Sequence, residues 1–251
     1  MDPKVLVGCP TSNHKAYCLP QYVNTIKSFS YKNYDVLLVD NSKTDSYLEK
    51  IKSLEIPVVK SSYHEYARDR VIEARNVLRD KVLQGDYDYF LSLEQDVIPP
   101  KQVIENLLGW KKPIVTGIVF HLFPLDSEFK EFKEIPLIAL QAKEKGKLSF
   151  FDASSISKAR KGLVKVDYCP MGCVLISKEV LEKIKFRYEY YHNTDNPEDV
   201  KWDDRCLCED AKSLGYEIYA DLSIKCKHLL MGGYNITIGD MSKVKRYEEK
   251  K

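Results

Sequence analysis

Tyr89-Phe90-Leu91-Ser92-Leu93-Glu94-Gln95-Asp96 is an apolar run that ends abruptly in two carboxylates, and Val97-Ile98-Pro99-Pro100 follows it. A short continuous apolar run reads as a strand buried on both faces, the kind found in parallel sheets. The double proline stops it. Glu94 and Asp96, separated by one residue, share a face if the strand continues through them, and they can then converge on one cation. Open α/β sheets bind ligands outside the carboxyl ends of their strands. A magnesium-like ion takes one or two protein carboxylates and completes its shell with water and phosphate oxygens. That chemistry suits a nucleotide-diphosphate substrate; the plainer reading is two solvated acids at a strand end.

Strand and helix patterns alternate on either side of this run. Val5 to Thr11 reads as a first strand, and Leu19 to Phe29 as a helix with Tyr22, Val23, Ile26 and Phe29 on one face. Tyr34 to Asp40 is a second buried strand, and Asn41 to Asp45 supply turn and N-cap residues for a helix through Lys52. Ile56 to Lys60 is a third strand, Tyr66 to Leu83 an amphipathic helix, Tyr87 to Leu93 the fourth strand, Lys101 to Leu108 a helix and Ile114 to Phe120 a strand. This order predicts an α/β fold with a mostly parallel central sheet flanked by helices. Residues 121–165 break the pattern: Leu137 to Leu140 and Leu148 to Phe151 read as strands, and Ser154 to Lys158 as an exposed loop. Beyond it, Met171 to Ser177 is a strand, Lys178 to Ile184 a helix, Asp203 to Leu214 a helix stopped by Gly215, and Tyr216 to Ala220 and Ser223 to His228 two late strands. We expect a single domain over 1–240, with a nucleotide-binding half at about 1–120 and an acceptor or catalytic half at about 121–240. The basic tail at 241–251 reads as a frayed helix or a disordered end.

With 251 residues and 44% hydrophobic content the chain can bury a large core. A net charge of +2 without a clustered basic stripe argues against a nucleic-acid partner. Lys4 to Gly8 is too short for a signal-peptide core, and no apolar run reaches the roughly 18–20 residues of a membrane span. These features predict a soluble, cytoplasmic protein, whose lysine-rich tail is either solvated or in contact with an anionic membrane surface. Seven scattered cysteines, without C-x₂-C spacing, read as buried thiols rather than a zinc site; a bridge from Cys18 or Cys226 to a neighbour stays open.

Four motifs in order carry a family resemblance. They are Tyr34-Asp35-Val36-Leu37-Leu38-Val39-Asp40-Asn41-Ser42-Lys43-Thr44-Asp45, Ala74-Arg75-Asn76, Glu94-Gln95-Asp96, and Trp202-Asp203-Asp204 with Cys208, Ala211, Gly215 and Tyr216 after it. From about Lys4 to His228 the chain resembles the GT-A glycosyltransferases, in particular family two. The resemblance implies a GT-A (nucleotide-diphospho-sugar transferase) fold with a smaller acceptor-side region. It also implies transfer of a sugar from a nucleotide-diphosphate sugar, UDP- or GDP-linked, with Mn2+ or Mg2+ as cofactor. By the same resemblance Asp96 contacts the metal, and Glu94 assists or holds a metal-bound water or the donor ribose. Gln95 belongs to the nucleotide site between them, and His228 is a further metal ligand. Asp40 hydrogen-bonds the base, or else caps the next turn; Pro10 and Thr11 wall the same pocket. Arg75 reaches the nucleotide, or pairs with Glu73 or Asp69. Asp204, beside Asp203, is the general base that an inverting transfer needs to take the acceptor hydroxyl proton, although acids also suit a helix's first turn. Gly172 and Trp202 lie on the acceptor side, Gly172 for close backbone approach or a tight turn and Trp202, with Tyr188, Tyr190 and Tyr191, as a sugar platform or as packing. Arg68 and Arg70 read as surface charges, and Asp210 as structural. The chain departs from the family pattern with Glu for the first metal-motif acid, Asp-Asp for the commoner Glu-Asp, and an unmatched segment 121–165. Glycan, lipid-phosphate and protein acceptors stay open, as do retention and nucleotidyl transfer, and nothing sets the oligomeric state. The alternative is a catalytically silent protein of this fold that binds nucleotide-sugar, glycan or a protein partner.

Overall fold

A computed structural model describes residues 2–124, 132–143, 147–159, 161–190, 200–230, 234–235 and 245–246. The first part follows the expected alternation: β1 (Val5–Thr11), α1 (Leu19–Lys27), β2 (Tyr34–Asp40), α2 (Ser46–Lys52), β3 (Val58–Lys60), α3 (Ala67–Gln84), β4 (Tyr89–Leu93), β5 (Val97–Ile98), α4 (Val103–Gly109) and β6 (Ile114–Pro124). Then come β7 (Phe132–Pro136), β8 (Ala139–Gln141), β9 (Leu148–Phe150), α5 (Ala153–Lys158), β10 (Leu163–Val166), β11 (Cys173–Ser177), α6 (Lys178–Lys183), β12 (Glu189–Tyr190), β13 (Val200–Lys201), α7 (Asp203–Ser213), β14 (Ile218–Leu230), β15 (Tyr234–Asn235) and β16 (Lys245–Arg246).

The main sheet runs β14-β6-β11-β4-β1-β2-β3. β1, β2, β3 and β4 pair in parallel, as do β6 and β14, while β11 is antiparallel to both of its neighbours. Period-two alternation sends successive side chains to opposite faces. Leu6, Phe90, Ile118 and Val174 meet Ala74 and Leu78 of α3 and Leu207 and Ala211 of α7. Val7, Leu91, Val119 and Leu175 face the other way, onto Tyr22 and Ile26 of α1, Tyr47 of α2 and Ile104 of α4. The result is three layers, helix–sheet–helix, and burial of each such Val, Leu, Ile or Phe is worth about 1.5–3 kcal/mol. Gly8 lets α3 lie directly on the sheet: a Cβ there would stand 2.4 Å from the Leu37 carbonyl oxygen and 2.8 Å from Leu78 Cδ2.

Two expectations need correction. Ser154 to Lys158 is not a loop but the body of α5, because the Asp152 side chain accepts from the Ser155 amide at its N-cap and Ile156 is buried. The two late strands are one, β14, whose register against β6 shifts between Ala220 and Lys225. At the shift Asp221 Oδ1 accepts from the Ser223 amide and hydroxyl, and Trp110 Nε1 donates to Asp221 Oδ2 at 2.8 Å, so the polar residues that read as a turn form a bulge inside a strand. All seven cysteines are buried free thiols, which closes the question left open for Cys18 and Cys226. No helix among the described residues is long and apolar enough to cross a membrane. Tyr191 and most of the tail lie outside the described residues; within the tail, Lys245–Arg246 pair with β15.

Candidate active site

In the parallel part of the sheet the order β3-β2-β1-β4 reverses at β1, and such a switch point opens a crevice at the strands' carboxyl ends. Thr11 and Asp40 are paired at that edge. Asp40 is fully buried; its Oδ1 accepts from the Ser42 amide at 3.0 Å and hydroxyl at 2.6 Å, and Lys60 Nζ donates to Oδ2 at 2.9 Å. Both oxygens thus serve the turn and an ion pair. Just beyond lies a cavity of about 220 Å³, lined by Ser12, Asn13, His14, Asn41, Ser42, Lys43, Thr44, Tyr63 and Arg70. Pro10 and Thr11, expected as its walls, end β1 one residue before the lining begins at Ser12 and are not part of it. Tyr63 is exposed, with Lys43 Nζ 5.8 Å and the Arg70 guanidinium 5.2 Å from its ring centre. Sequence reasoning missed Tyr63; the one signal was an aromatic residue in the loop leaving β3.

Glu94, Gln95 and Asp96 do not continue the strand. They form a turn between β4 and β5, closed by Val97 N donating to Glu94 O at 2.9 Å. The period-two argument therefore fails here, and the two carboxylates diverge. Glu94 Oε1 accepts from Arg75 Nη2 at 2.7 Å. Asp96 Oδ2 is ion-paired with Lys15 Nζ and lies 3.6 Å from His228 Nε2 and 3.4 Å from the Tyr17 hydroxyl. Burial alone would raise the Asp96 carboxyl, but hydrogen bonding from His228 and the charge of Lys15 hold it down at about 2. Gln95 is buried with its amide fully engaged: Oε1 accepts from the Thr11 and Tyr47 hydroxyls, and Nε2 donates to the Lys15 carbonyl at 2.6 Å. Gln95 and Thr11 thus tie the β1–α1 connection to the turn. His228 reaches Asp96 because β14 pairs with β5, placing His228 opposite Val97, and Leu229 N donates to Asp96 O at 2.7 Å.

A second cavity, of about 270 Å³, is lined by Arg75, Glu94, Leu137, Tyr168, Met171, Trp202, Asp203 and Asp204, among others. Arg75 is its buried hub. Its Nε is ion-paired with Asp203 Oδ2, Nη1 donates to Ser92 Oγ at 3.1 Å, and Nη2 holds Glu94. Asp69 and Glu73 are not its partners among the described residues; Glu73 accepts from the Ser62 amide at 2.9 Å and is hydrogen-bonded with His64. Asp204 Oδ2 accepts from the Tyr168 hydroxyl at 2.6 Å and Oδ1 from the Arg205 amide at 2.7 Å. Burial, reinforced by the neighbouring Asp203 charge, pushes the Asp204 carboxyl up to about 6 against those two hydrogen bonds. Tyr168, absent from the sequence reading, therefore restrains the rise that burial and Asp203 impose on this acid. Tyr168→Phe removes a hydrogen bond that favours the ionised form, and should move the acid limb of the activity–pH profile upward by about one unit. An unmoved limb would separate Tyr168 from the titrating group.

A sequence model of glycosyl transferase family 2 matches residues 7–185, more than half of the chain. The chain belongs to glycosyl transferase family 2. The matched stretch takes in Asp40, Arg75 and the Glu94–Asp96 turn and stops before Asp203, Asp204 and His228. No curated protein matches the sequence. Among solved structures the chain is similar to the mannosyltransferase PcManGT from Pyrobaculum calidifontis, in complex with GDP-Man and Mn2+. That match has 16% identity and a TM-score of 0.59, and covers 93% of this chain and 59% of that one. At that identity the likeness is one of fold. S. aureus TarS 1-349 in complex with UDP-GlcNAc is 15% identical with a TM-score of 0.48, over 87% of this chain and 55% of that one. A197 from STIV is 17% identical with a TM-score of 0.46, over 99% and 100%.

The remaining expected residues of this family 2 glycosyltransferase fall on different sides of the cavity. Trp202 is exposed at the N-cap of α7 and forms part of the wall. Gly172 lies behind it: its carbonyl accepts from Glu94 N at 3.0 Å, and a Cβ would press on Val97 and Val119 at 3.2 Å, so the close approach it permits is to the core. Arg68 is buried rather than a surface charge, under the rings of Tyr66, Tyr188 and Tyr190 at 4.3, 5.5 and 5.7 Å, which turns those two later tyrosines towards packing. Arg70 donates to the His64 and Glu65 carbonyls. Asp210 is structural, held by two hydrogen bonds from Arg187.

A divalent ion, which the family resemblance implies, fits part of this donor set. Asp96 Oδ1 is buried and finds no hydrogen-bond partner among the described residues. His228 Nδ1 donates to the Phe120 carbonyl at 2.9 Å, which only accepts, and this leaves Nε2, 3.6 Å from Asp96 Oδ2, as the nitrogen that would ligate once it has given up its proton. Among the described residues no three His, Cys, Asp or Glu side chains converge, so water and phosphate would complete the shell.

Proposed function

We propose that the chain is a metal-dependent, inverting glycosyltransferase that moves a sugar from a UDP- or GDP-linked donor to an acceptor hydroxyl. One observation carries the reading. Asp204 is a carboxylate with a pKa of about 6 in the cavity shared by Arg75, Glu94 and Trp202, and a general base works best when its pKa lies near the working pH. On this reading the acceptor hydroxyl gives its proton to Asp204 as its oxygen attacks the anomeric carbon. The bond from that carbon to the diphosphate oxygen breaks on the opposite side. Tyr168 and the Arg205 amide orient Asp204, and Arg75 fixes Asp203 and Glu94 around the donor. The cavity beside Tyr63 takes the base, above the turn that Asp40 closes. Asp96 and His228 would hold the divalent ion, which when bound offsets the charge developing on the leaving diphosphate. The reading extends to a cytoplasmic enzyme acting on a glycan, lipid-phosphate or protein hydroxyl, the lipid-phosphate case placing it at a membrane surface.

A thermal-shift panel of UDP, GDP, CDP and dTDP, with and without Mn2+, tests it. One nucleotide should raise Tm in a Mn2+-dependent way; at a hundred times Kd the stabilisation is about 2.7 kcal/mol, a shift of roughly 5–10 °C for a chain of this size. Asp96→Ala should remove the Mn2+-dependent part; equal nucleotide affinity with and without Mn2+ would withdraw the metal assignment. The silent alternative draws on Lys15 and Arg75, which occupy carboxylates the chemistry needs. It predicts no turnover in the parent, and Asp204→Asn indistinguishable from it.

A further inference from the structure

We infer that Lys15 is a built-in counter-cation for Asp96 that gives way to a divalent ion and then binds the donor's phosphates. The inference rests on the nucleotide-diphosphate reading above. Lys15 closes a single 3₁₀ turn, Asn13–Lys15, in the β1–α1 connection. Its backbone is anchored: Lys15 N donates to Ser12 O at 2.8 Å, and Gln95 Nε2 at 2.6 Å and Cys18 Sγ at 3.1 Å donate to its carbonyl. Only its side chain, four methylenes ending in three rotatable donors, is free to change partner. That side chain is 35% exposed, whereas the Asp96 side chain is 6% exposed. One member of the pair is fixed inside and the other stands at the mouth.

Asp96 distributes its contacts unevenly. Oδ2 faces Lys15, Tyr17 and His228, while Oδ1 is buried without a partner among the described residues. A buried anionic oxygen without a donor is costly, and here it leaves one Asp96 oxygen open to an ion while His228 stands 3.6 Å from the other. An ammonium and a divalent cation on one carboxylate repel each other, so the ion's arrival drives the lysine off. Glu94, whose charge also acts on Lys15, is held by Arg75, so the donor's phosphates would be the next anions open to the released ammonium. Metal alone must displace Lys15 without compensation; metal with a nucleoside diphosphate supplies it with a new partner. The two ligands should therefore bind cooperatively, and reciprocally.

The experiment is a Mn2+ titration of the full chain followed by the EPR signal of free Mn2+, for the parent, Lys15→Met and Lys15→Arg, with and without the nucleoside diphosphate chosen by the panel. Lys15→Met should bind Mn2+ alone about five- to tenfold more tightly, having lost the competing cation, and bind the nucleotide in the presence of Mn2+ weaker by a similar factor. Lys15→Arg should behave like the parent. Unchanged affinities in Lys15→Met would overturn the inference, and so would weaker binding of Mn2+ alone, which would make Lys15 a mere support of the site. If the parent binds no nucleotide under any condition, the functional reading fails. The Mn2+-alone arm still decides the displacement: tighter binding in Lys15→Met upholds it, and no change ends it.

Discussion

Asp204→Asn should lose turnover by a factor of about 10²–10⁴ while donor affinity stays within about twofold. The amide keeps the shape of the side chain and can still accept from the Arg205 amide, but it cannot take a proton. It also leaves untouched Arg75, Glu94 and Asp96, the groups expected to face the nucleotide. Stability should move in the opposite direction. The folded-state pKa of Asp204, about 6, lies above the unfolded value, which is about 3.9. Between those values the folded chain holds the extra proton, so this group's contribution falls as pH rises from about 4 to about 6 and is unfavourable above that. The upper bound is about 3 kcal/mol, reduced by solvent screening at a partly exposed carboxyl. Asp204→Asn removes the penalty and should raise Tm at pH 7–8 by a few degrees while flattening the pH dependence. Kinetics, isothermal titration of the donor and melting at several pH values check each part. Retained turnover would move the base elsewhere.

Arg75→Met should destabilise the fold by about 3–5 kcal/mol, the usual cost of removing one partner of a buried pair. This corresponds to a Tm lower by roughly 6–20 °C. Arg75 is 2% exposed and binds Ser92, Glu94 and Asp203 at once. Without it Asp203 is a buried charge that, among the described residues, keeps the N-terminal dipole of α7 for compensation, worth about 0.3–1 kcal/mol. A second change, Asp203→Asn, should restore more than half of the loss by removing that charge. Urea unfolding of the two single variants and the double measures the coupling. A loss below about 1 kcal/mol in Arg75→Met would show the pair to be solvent-screened.

Much of the fold was legible because its signals are local. β1 and β2 have the bounds read from the sequence, since each is an apolar run followed by turn-forming residues: Ser12 and Asn13 after the first, Asn41 and Ser42 after the second. The Asp203 helix was legible for the same reason, with acids at one end and Gly215, at φ +83°, beyond the other. The misreadings share a cause. Asp152 and Asp221 place their side chains on nearby backbone amides, so polar residues that look like loop belong to a helix and a strand. At the site, Glu94 and Asp96 were legible as a pair of acids but not as diverging ones. Their directions depend on Arg75 and Lys15, which the fold brings in from other elements. Lys15 and Tyr168 carry no local mark, and Tyr63 only that of an aromatic residue in a loop, because their roles arise once distant strands are side by side.

The pairing of β14 with β5 has a consequence for assembly in time. Asp96 and His228 become neighbours through a backbone ladder, not through their side chains, and the ladder's second strand is made well after its first. The β1–β4 part of the sheet is made before β14, but the corner proposed to bind an ion waits for it, since non-local pairings need both partners. A chain released at residue 185 would carry the whole family-matched stretch and still lack His228 and both carboxylates of α7. Capture of a divalent ion by the proposed pair should therefore report the docking of β14 on β5.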